Sequence, residues 1–299
     1  MTNPFEDIRR GFRGALLAGE PLSRHTSLKV GGPADFFAIP EDKSDLLELS
    51  RILDALAIPW FVIGGGYNLL VRDKGFRGAA VSLRKLDRIE QRDDTGLYAE
   101  AGVKNHILAG TARDSGLSGF EFLIGIPGTV GGALCMNAGA HGREIFDNVV
   151  TLELLTGGEL RKHPKNSLDY GYRHLQLSPN EIIISAEFRL MRATPKTITA
   201  AMDSNLEKRR ETQQVGWPNA GSFFKNPPGH AAWRLIDECG LRGFAVGGAQ
   251  VSEVHANFLV NRGKATALDF LKLAAIIKKR VFEKSGILLT EEVHTVGEE

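Results

Sequence analysis

The chain has 299 residues, 42% of them hydrophobic and 24% charged, and 37 Lys and Arg against 36 Asp and Glu leave a net charge of +1. This composition is typical of a soluble globular protein with a sizeable core, and the balanced charge disfavours a nucleic-acid partner. Apolar runs stay well short of the ~20 residues of a membrane span, so we expect no membrane partner. The N-terminus lacks the apolar region of a secretory signal, and two cysteines make no disulfide framework, so we expect a cytoplasmic protein.

The first part of the chain alternates between helical and strand patterns. Apolar residues recur at helical spacing over 4–18 and again over 42–57, where Asp42 and Asp45 have the spacing of a capping box. We therefore expect a helix in each range. The run WFVIGGG at 60–66 predicts a buried strand that ends in a glycine loop. The other predicted elements are a turn at 31–33, short strands at 35–39 and through 70–103, and a helix at 105–115 that Gly116 closes.

The second part returns to strands and ends in a helix. Residues 149–191 have strand patterns, and a charged helix over 197–213 is expected to lead into a second domain. The terminal helix is predicted to start at Thr266, with Asp269 completing a capping box. Its buried face is predicted from Leu268, Leu271, Ala275 and Phe282. Because the predicted strands and helices do not alternate regularly as βαβ units do, the sequence favours an α+β fold over a doubly wound sheet.

A triple glycine directly follows the predicted strand, in the sequence GGGYN at 64–68. Glycines allow positive φ and let backbone N–H groups converge on an anion such as a diphosphate. A plain tight turn would have the same sequence, so this motif alone leaves both interpretations equally open. Leu69 stands where a dinucleotide-binding fingerprint has its third glycine, and a Rossmann site is therefore not predicted.

Two further runs favour a binding site over simple packing. Residues 125–142 hold six glycines in eighteen positions, which would let a planar ring and a phosphate approach the main chain; a glycine-rich packing corner is the alternative. The run GSFFKNP at 221–227 combines a hydroxyl, a cation and an amide, with Ser222 a general acid or only a cap. The eight histidines show no metal-ligand spacing, so no metal site is predicted.

Seven runs together carry a family resemblance. They are HTSLKVGGPADFFAIP at 25–40, IGGGYNLLV at 63–71, GIPGTVGGALCMNAGAHG at 125–142, YGYR at 170–173, GSFFKNP at 221–227, VSEVHANFLVN at 251–261 and EEVHTVG at 291–297. In this order and over nearly the whole chain, they resemble the UDP-N-acetylenolpyruvoylglucosamine reductases (UDP-N-acetylmuramate dehydrogenases), which are flavoenzymes of early peptidoglycan synthesis.

The resemblance implies a fold and a reaction. The fold would be α+β, with a two-lobed FAD-binding domain of the vanillyl-alcohol-oxidase type over 1–196 (lobes of about 1–80 and 81–196) and a smaller α+β substrate-binding domain over 197–299. The reaction would be the NADPH-dependent reduction, through FAD, of the enolpyruvyl group of UDP-N-acetylglucosamine enolpyruvate to UDP-N-acetylmuramate. Without an inserted tyrosine-bearing loop, the chain looks like the type II branch. We expect a monomer on which NADPH and the UDP-sugar alternate, which gives ping-pong kinetics.

The resemblance also assigns residues. It implies Arg173 as the cation beside the substrate carboxylate, Ser222 as the proton donor and Glu292 as a second acid, a role that requires a raised pKa. The positions matched to substrate binding are Tyr172, Lys225 and Asn226. The positions matched to the FAD-contacting loops are Gly64, Gly65, Gly66, Tyr67, Asn68, Gly125, Pro127, Gly128, Thr129, Gly131 and Ala133. The positions that depart from the family's usual residues are Tyr67, Leu175 and His294. Whether Arg209 or Arg210 faces the site is left open.

Two other functions remain to be separated from the reductase. A related flavin oxidase acting on a sugar or hydroxy acid would bind the same cofactor, but it would not need Arg173, Ser222 and Glu292 together. A nucleotide-sugar binding protein without catalysis would lack a flavin altogether, so the colour of the purified protein distinguishes it from both enzymes.

Overall fold

The computed structural model describes residues 4–178 and 181–299. The helices are α1 (Pro4–Gly11), α2 (Lys43–Ala55), α3 (Asn105–Asp114), α4 (Val130–Cys135), α5 (Pro195–Gln213), α6 (Ala232–Glu238) and α7 (Ala267–Ser285). The predicted capping box of Thr266 and Asp269 is confirmed. At α2 the Asp42 carboxylate caps the helix by accepting from the Asp45 N–H, but the Asp45 carboxylate accepts from the Arg13 and Glu41 N–H groups, so the predicted box is only half formed. Helix α7 ends where Gly286 takes the left-handed φ of 71°, as glycine readily does.

Short strands make up most of the remaining regular structure. The strands up to residue 164 are β1 (Ala15–Pro21), β2 (Pro33–Ile39), β3 (Trp60–Ile63), β4 (Leu69–Val71), β5 (Phe76–Ser82), β6 (Ile89–Gln91), β7 (Gly96–Glu100), β8 (Leu117–Ser118), β9 (Gly139–Ala140), β10 (Arg143–Glu144), β11 (Val149–Thr156) and β12 (Glu159–Pro164). The later strands are β13 (Tyr170–Gly171), β14 (His174–Leu175), β15 (Ile182–Arg189), β16 (Met191–Arg192), β17 (Asn219–Ser222), β18 (Ala245–Val246), β19 (Ala249–Val251), β20 (Phe258–Asn261) and β21 (His294–Val296).

The described residues divide into two compact units. The first unit contains the chain up to Ala18 together with Phe36–Gly65 and Gly78–Arg209. The second unit contains Gly19–Asp35, Gly66–Arg77 and Arg210–Glu299. The assignment of 1–196 to FAD binding and of 197–299 to substrate binding stays a prediction about function.

The first unit is built on sheets that helices cover. An antiparallel sheet has the order β12-β11-β15-β7-β6, and in a four-stranded sheet of order β1-β2-β5-β3 the strands β3 and β5 run parallel. A helical stripe of Leu46, Leu49, Leu53 and Leu56 is predicted for α2: the first three are buried, whereas Leu56 lies just after the helix and is 37% exposed. A second cluster of buried side chains includes the buried residues of α4, in the glycine-rich segment, and a pair of rings, Phe120 and Phe188, that meet edge-on with their centres 5.0 Å apart.

The second unit has its own sheets and core. Strands β17-β20-β19-β18 form an antiparallel sheet, and β21 runs parallel to β4. The core combines the C-terminal part of the chain with residues of the two N-terminal segments. Its members from those segments are Leu28, Val30 and Leu70, and those from α7 include Phe270, Leu273, Ile277 and Val281.

The predicted helix over 4–18 is wrong beyond Gly11. Helix α1 stops there, and β1 begins at Ala15. Phe12 and Leu16 join the same core cluster as Ile8, but they reach it from a loop and a strand. A spacing of four residues suits a helix and also the alternation of a strand, so the apolar pattern could not distinguish them. At Gly14 the chain passes so close to β2 that a Cβ would lie 2.1 Å from the Ile39 carbonyl oxygen.

The predicted buried face of the terminal helix is wrong at three of its four residues, and only Leu271 packs, partly buried, against the core. Leu268 and Phe282 are 50% and 53% exposed, and Ala275 is exposed as well, whereas Phe270, Leu273, Ala274, Ile277 and Val281 are buried. Helix α7 carries apolar residues on more than one side, and its packing against β18 and β19 decides which side is buried. The glycine-rich run at 125–142, expected as a loop, contains the short helix α4.

Candidate active site

Arg173 lies at the tip of a short hairpin in the first unit. Strands β13 and β14 pair through Gly171 and His174, so Tyr172 and Arg173 form the turn. Arg173 takes a φ of 52°, which costs a residue with a Cβ about 1 kcal/mol or more. Its terminal nitrogens donate to the carbonyl oxygens of Asn137 (3.3 Å) and Gly139 (2.8 Å). These carbonyls fix the orientation of the guanidinium, a group whose geometry suits a carboxylate.

A buried asparagine connects this hairpin to the glycine-rich segment. The Asn137 amide donates to the Gly171 carbonyl at 3.0 Å and to Glu144 at 2.7 Å, and its oxygen accepts from the Phe146 N–H. Asn137 is fully buried, with a φ of 43°. The hairpin that carries Arg173 is therefore fixed by groups that sequence patterns did not single out, because the contacts join residues more than thirty positions apart.

Ser222 ends strand β17 in the second unit. Strand β17 pairs with β20 through Asn219 and Val260 and again through Ser222 and Phe258, with a change of register between the two pairs. Gly221, with a φ of 73°, permits that irregularity. Phe223 and Phe224 are 2% and 1% exposed, which confirms their prediction as core residues. Ser222 itself is only half-buried, so its hydroxyl lies at the border between core and solvent.

Glu292 lies on the chain next to the Ser222 segment. The Glu292 N–H donates to the Phe223 carbonyl at 2.8 Å, the Lys225 N–H donates to the Thr290 carbonyl at 2.9 Å, and Phe224 bridges Glu291 in antiparallel fashion. Residues 222–225 and 290–293 therefore run side by side within the second unit. The structure thus brings two of the three predicted catalytic residues onto neighbouring backbone segments, while Arg173 belongs to the first unit.

The two predicted FAD-contacting loops meet within the first unit. A Cβ on Gly64 would lie 2.8 Å from the Thr129 hydroxyl oxygen, so only glycine fits there without displacing Thr129. Thr129 caps α4 by accepting from the Gly132 N–H, and Gly131 leaves no room for a Cβ beside Ala101. Gly128 has a φ of 119°. The segment over 125–133 is therefore closely packed, as the alternative of a glycine-rich packing corner predicts, and its contact with a cofactor stays a prediction.

The rest of the first loop belongs to the second unit. Gly66 has a φ of 68°, and a Cβ there would lie 2.0 Å from the His25 carbonyl oxygen. The Gly66 carbonyl accepts from both the N–H and the hydroxyl of Ser27. Asn68 is engaged with the Glu292 segment: its side-chain amide donates to the Glu292 carbonyl at 2.9 Å, and its own carbonyl accepts from His294. The loop predicted to contact FAD is thus bonded to the segment of a predicted catalytic residue.

The main chain of both loops fits a phosphate-bearing cofactor. Within the described residues, the N–H groups of 64–68, Gly128 and Thr129 donate to no protein acceptor. Unused donors that follow one another along a glycine-rich chain suit the oxygens of a diphosphate. The Asn105 side-chain oxygen is also buried without a partner among the described residues, although its amide donates to the Ile126 carbonyl. Sequence reasoning missed Asn105, because its pattern is only that of a helix start.

The predicted substrate-binding residues differ in exposure. Tyr172 is 49% exposed, with its ring 5.2 Å from the Arg173 guanidinium carbon. Lys225 is half-buried, and Asn226 is exposed with its side-chain oxygen accepting from the Ala232 N–H at 3.0 Å, at the start of α6. The Asn226 amide nitrogen is the part of that side chain left to meet a ligand.

Arg209 and Arg210 differ in burial, and which of them faces the site stays open. Arg209, near the end of α5, is partly buried, and its Cδ lies 3.3 Å from where a Gly125 Cβ would be. Removal from water lowers the pKa of Arg209. Arg210 is exposed. Arg209 is therefore the cation of the pair that packs on the glycine-rich segment.

The three departures from the family pattern leave the backbone of the site intact. Tyr67 is 44% exposed, Leu175 is buried in the core cluster that contains Phe120 and Phe188, and His294 starts β21. Exclusion of water by neighbouring atoms, and then the Lys225 cation, lower the pKa of His294. A neutral His294 beside Lys225 would supply hydrogen bonds where arginine would add a second charge.

Comparisons with known proteins agree over almost the whole chain. The family model described as UDP-N-acetylenolpyruvoylglucosamine reductase, C-terminal domain, matches residues 213–296, and that of an FAD binding domain matches residues 34–161. The UDP-N-acetylenolpyruvoylglucosamine reductase of Geotalea uraniireducens is 56% identical over 95% of this chain and 95% of its own, and that of Geobacter metallireducens is 56% identical over 98% and 97%. The crystal structure of the reductase from Thermus caldophilus superposes with a TM-score of 0.80 at 34% identity, covering 95% of this chain and 98% of its own. The predicted α+β fold class is confirmed by these matches.

Proposed function

The chain belongs to the UDP-N-acetylenolpyruvoylglucosamine reductase family, and on that premise we propose how its own residues carry out the reaction. It is an FAD-dependent oxidoreductase that uses NADPH to reduce the enolpyruvyl group of UDP-N-acetylglucosamine enolpyruvate, which makes UDP-N-acetylmuramate for peptidoglycan. The predicted family, reaction and cofactor are confirmed. The alternatives of a flavin oxidase and of a binding protein without catalysis are not supported by the relatives.

FAD, when bound, supplies the hydride that NADPH delivers. The backbone N–H groups of 64–68, Gly128 and Thr129 are proposed to hold its diphosphate, since they have no protein acceptor among the described residues. Because Gly64 and Gly66 lack side chains, the main chain can approach the cofactor closely. NADPH and the UDP-sugar are proposed to alternate at one site, which predicts parallel lines in steady-state plots.

Arg173 is proposed to bind the substrate carboxylate. Hydride addition to the terminal CH2 of the enol ether moves electron density toward the central carbon and the carboxylate, so a second negative charge gathers on a small group. A guanidinium held by the Asn137 and Gly139 carbonyls lies ready in one orientation and needs no reorganisation when that charge develops.

Ser222 is proposed to give its hydroxyl proton to the central carbon. An alcohol is a weak acid, so the transfer depends on placement and on nearby positive charge. Glu292 is proposed to be protonated, so that it donates a hydrogen bond to the carboxylate oxygens; an ionised Glu292 would repel them. The single observation that supports this pairing is the bond from the Glu292 N–H to the Phe223 carbonyl, because it places the two acids on adjacent segments.

The test separates the two halves of the reaction. The Ser222→Ala variant should stay yellow, and NADPH should bleach it at the normal rate. Reoxidation by the enolpyruvyl substrate should slow by about 10²-fold or more, because only that half needs the proton. Ser50→Ala, in α2, is a matched control and should reoxidise normally. Normal reoxidation of Ser222→Ala would remove Ser222 as the donor.

We also propose the setting in which the enzyme works. No helix among the described residues is long and apolar enough to cross a membrane. A cytoplasmic monomer that binds small molecules and no nucleic acid is proposed on the balanced charge and the absence of a disulfide framework. The division into an FAD-binding domain over 1–196 and a substrate-binding domain over 197–299 is part of the same proposal.

A further inference from the structure

Asn257 is a buried polar residue to which the reaction assigns no part. It lies just before β20 in the run VSEVHANFLVN and is 2% exposed. We propose that Asn257 is a positioning residue for the reaction, which holds the backbone segment that carries Ser222 in one place. This inference rests on the proposed role of Ser222 as proton donor.

The Asn257 side chain binds both polar groups of one peptide residue. Its oxygen accepts from the Phe224 N–H at 3.0 Å, and its amide nitrogen donates to the Phe224 carbonyl at 2.8 Å. The Asn257 main-chain carbonyl also accepts from the Phe223 N–H at 2.8 Å. Three hydrogen bonds from one residue therefore fix the two residues that directly follow Ser222.

The amide takes the place of a missing strand partner. Regular pairing of β17 with β20 ends at Ser222 and Phe258, after the irregularity at Gly221. Beyond that point the segment pairs with residues 290–292 on its other edge, through the Phe223 carbonyl and the Lys225 N–H. A side-chain amide offers the same donor and acceptor as a peptide group, so Asn257 closes the edge that β20 no longer covers.

The position of Ser222 therefore depends on Asn257. Phe224 is buried, so its N–H and carbonyl groups would find no water if the amide were absent. The segment would shift to satisfy them, and Ser222 would shift with it. A displacement of about 1 Å in a reacting group can slow a reaction by about 10²-fold. A weak acid such as an alcohol depends on that placement more than a strong one does.

A second buried asparagine, at the end of β20, provides a matched control. Asn261 is also buried, its amide donates to the Leu28 carbonyl at 3.0 Å, and its oxygen accepts from the N–H groups of Gly263 and Ala265. Its side chain makes three hydrogen bonds to the backbone, against two for the side chain of Asn257, but it holds chain that does not carry Ser222. Loss of either amide removes buried hydrogen bonds, and only the loss of Asn257 releases the Ser222 segment.

The experiment compares Asn257→Ala, Asn261→Ala and Ser222→Ala in the FAD-loaded enzyme. Stopped-flow absorbance measures flavin bleaching by NADPH and reoxidation by saturating enolpyruvyl substrate, in H2O and in D2O, below the melting temperature of each variant. We expect both asparagine variants to melt earlier and to bleach at the normal rate. Only Asn257→Ala should reoxidise more slowly, by about 10-fold to 10²-fold, with a larger solvent isotope effect because proton delivery becomes limiting.

The outcomes separate the inference from the proposed function. Equal reoxidation rates in Asn257→Ala and Asn261→Ala, with Ser222→Ala slow, would overturn the role of Asn257 and leave that of Ser222. Normal reoxidation of Ser222→Ala would overturn the proposed donor itself. If Asn257→Ala does not fold, Asn257→Asp takes its place, because it keeps the acceptor for the Phe224 N–H and loses the donor. Its reoxidation rate is then compared with that of Asn261→Ala, and equal rates would again overturn the role of Asn257.

Discussion

Single residues set the geometry of the site through contacts that a Cβ would break. Gly66 is the clearest case, because it combines a φ of 68° with a carbonyl oxygen only 2.0 Å from where a Cβ would be. That oxygen belongs to His25, and the Gly66 carbonyl is itself bonded to Ser27. The proposed cofactor loop is thus anchored to residues 25–27 of the same unit, which begin the run HTSLKVGGP.

Gly66→Ala should lower the free energy of unfolding by about 1–3 kcal/mol and weaken FAD retention, because the loop must move away from His25 to admit the methyl group. Thermal melts and the flavin content of the purified protein measure the two effects. Gly216→Ala is the control, since Gly216 has open space around its Cβ position and no positive φ. If Gly66→Ala retains as much flavin as Gly216→Ala, the proposal that the loop over 64–68 holds FAD would be contradicted.

Glu292→Gln should change the shape of the pH–rate profile. In the wild-type enzyme the reoxidation rate should fall as the pH rises through the pKa of Glu292, because the ionised carboxylate repels the substrate anion. The glutamine variant should be slower at low pH and lack that fall. Glu291→Gln is the control, since Glu291 pairs with Lys278 at 3.0 Å. A Glu292→Gln pH–rate profile with the shape of the wild-type profile and only a lower rate throughout would count against a protonated Glu292.

At the scale of elements, a polar cluster ties helix α2 to the large sheet of the first unit. Lys43, at the start of α2, donates to Glu153 of β11 and to the Tyr98 hydroxyl of β7, and Glu153 also accepts from Ser185 of β15. Burial by itself lowers the pKa of Lys43, but its bonds to Glu153 and Tyr98 outweigh this and raise it. Burial by itself raises the pKa of Glu153, but the hydrogen bonds from Lys43 and Ser185 outweigh this and lower it.

Lys43→Met should destabilise the protein by about 1–2 kcal/mol at neutral pH, since Glu153 would stay partly buried without its cation. Chemical denaturation measures the loss. Lys162→Met on the same sheet is the matched control, because Lys162 and Glu187 form an exposed pair that contributes less than about 0.5 kcal/mol. Equal effects of the two substitutions would show that burial of the Lys43 pair adds nothing.

The lowered pKa of Glu153 also gives a pH dependence. A carboxyl group whose folded-state pKa lies below its ordinary value of 4.5 stabilises the protein fully above about pH 4.5. This contribution is lost as the pH falls from there through the folded-state pKa. Glu153→Gln should therefore lose part of the acid sensitivity of the wild-type protein below about pH 4.5.

At the scale of the whole molecule, the second unit is discontinuous in sequence. Leu28, Val30 and Leu70, from the two N-terminal segments, are buried in the core formed mainly by residues after 210. Asp73 accepts from the N–H groups of Ala267 and Leu268, which begin α7, and β4 pairs with β21. The C-terminal hundred residues therefore depend on chain that precedes them by nearly two hundred positions.

A fragment of residues 197–299 should not fold on its own. It would lose three buried aliphatic side chains, each worth about 1.5–3 kcal/mol, together with the parallel partner of β21 and the Asp73 contacts of α7. Circular dichroism and denaturant titration should show no cooperative transition for the fragment, whereas the full chain under the same conditions serves as the control. A cooperative transition in the fragment would refute this dependence.

Local patterns were sufficient for much of this protein. Asp42 and Thr266 cap helices as their spacing predicts, and Phe223 and Phe224 lie in the core, because caps and apolar runs act within a few residues of chain. The seven matched runs were enough to identify the family and with it the reaction, since site chemistry needs particular residues in a fixed order. The roles of Arg173, Ser222 and Glu292 stay predictions.

Long-range packing decided what local patterns left ambiguous. It ended α1 at Gly11 and selected Phe270 over Leu268 as a buried residue of α7, because the same apolar spacing suits more than one element or face until a partner surface is present. It also joined Gly64 to Thr129 and Asn257 to Phe224. Sequence alone determined which chemical groups the chain carries, whereas tertiary structure decided which of them meet, since contacts between distant residues depend on the folding of everything between them.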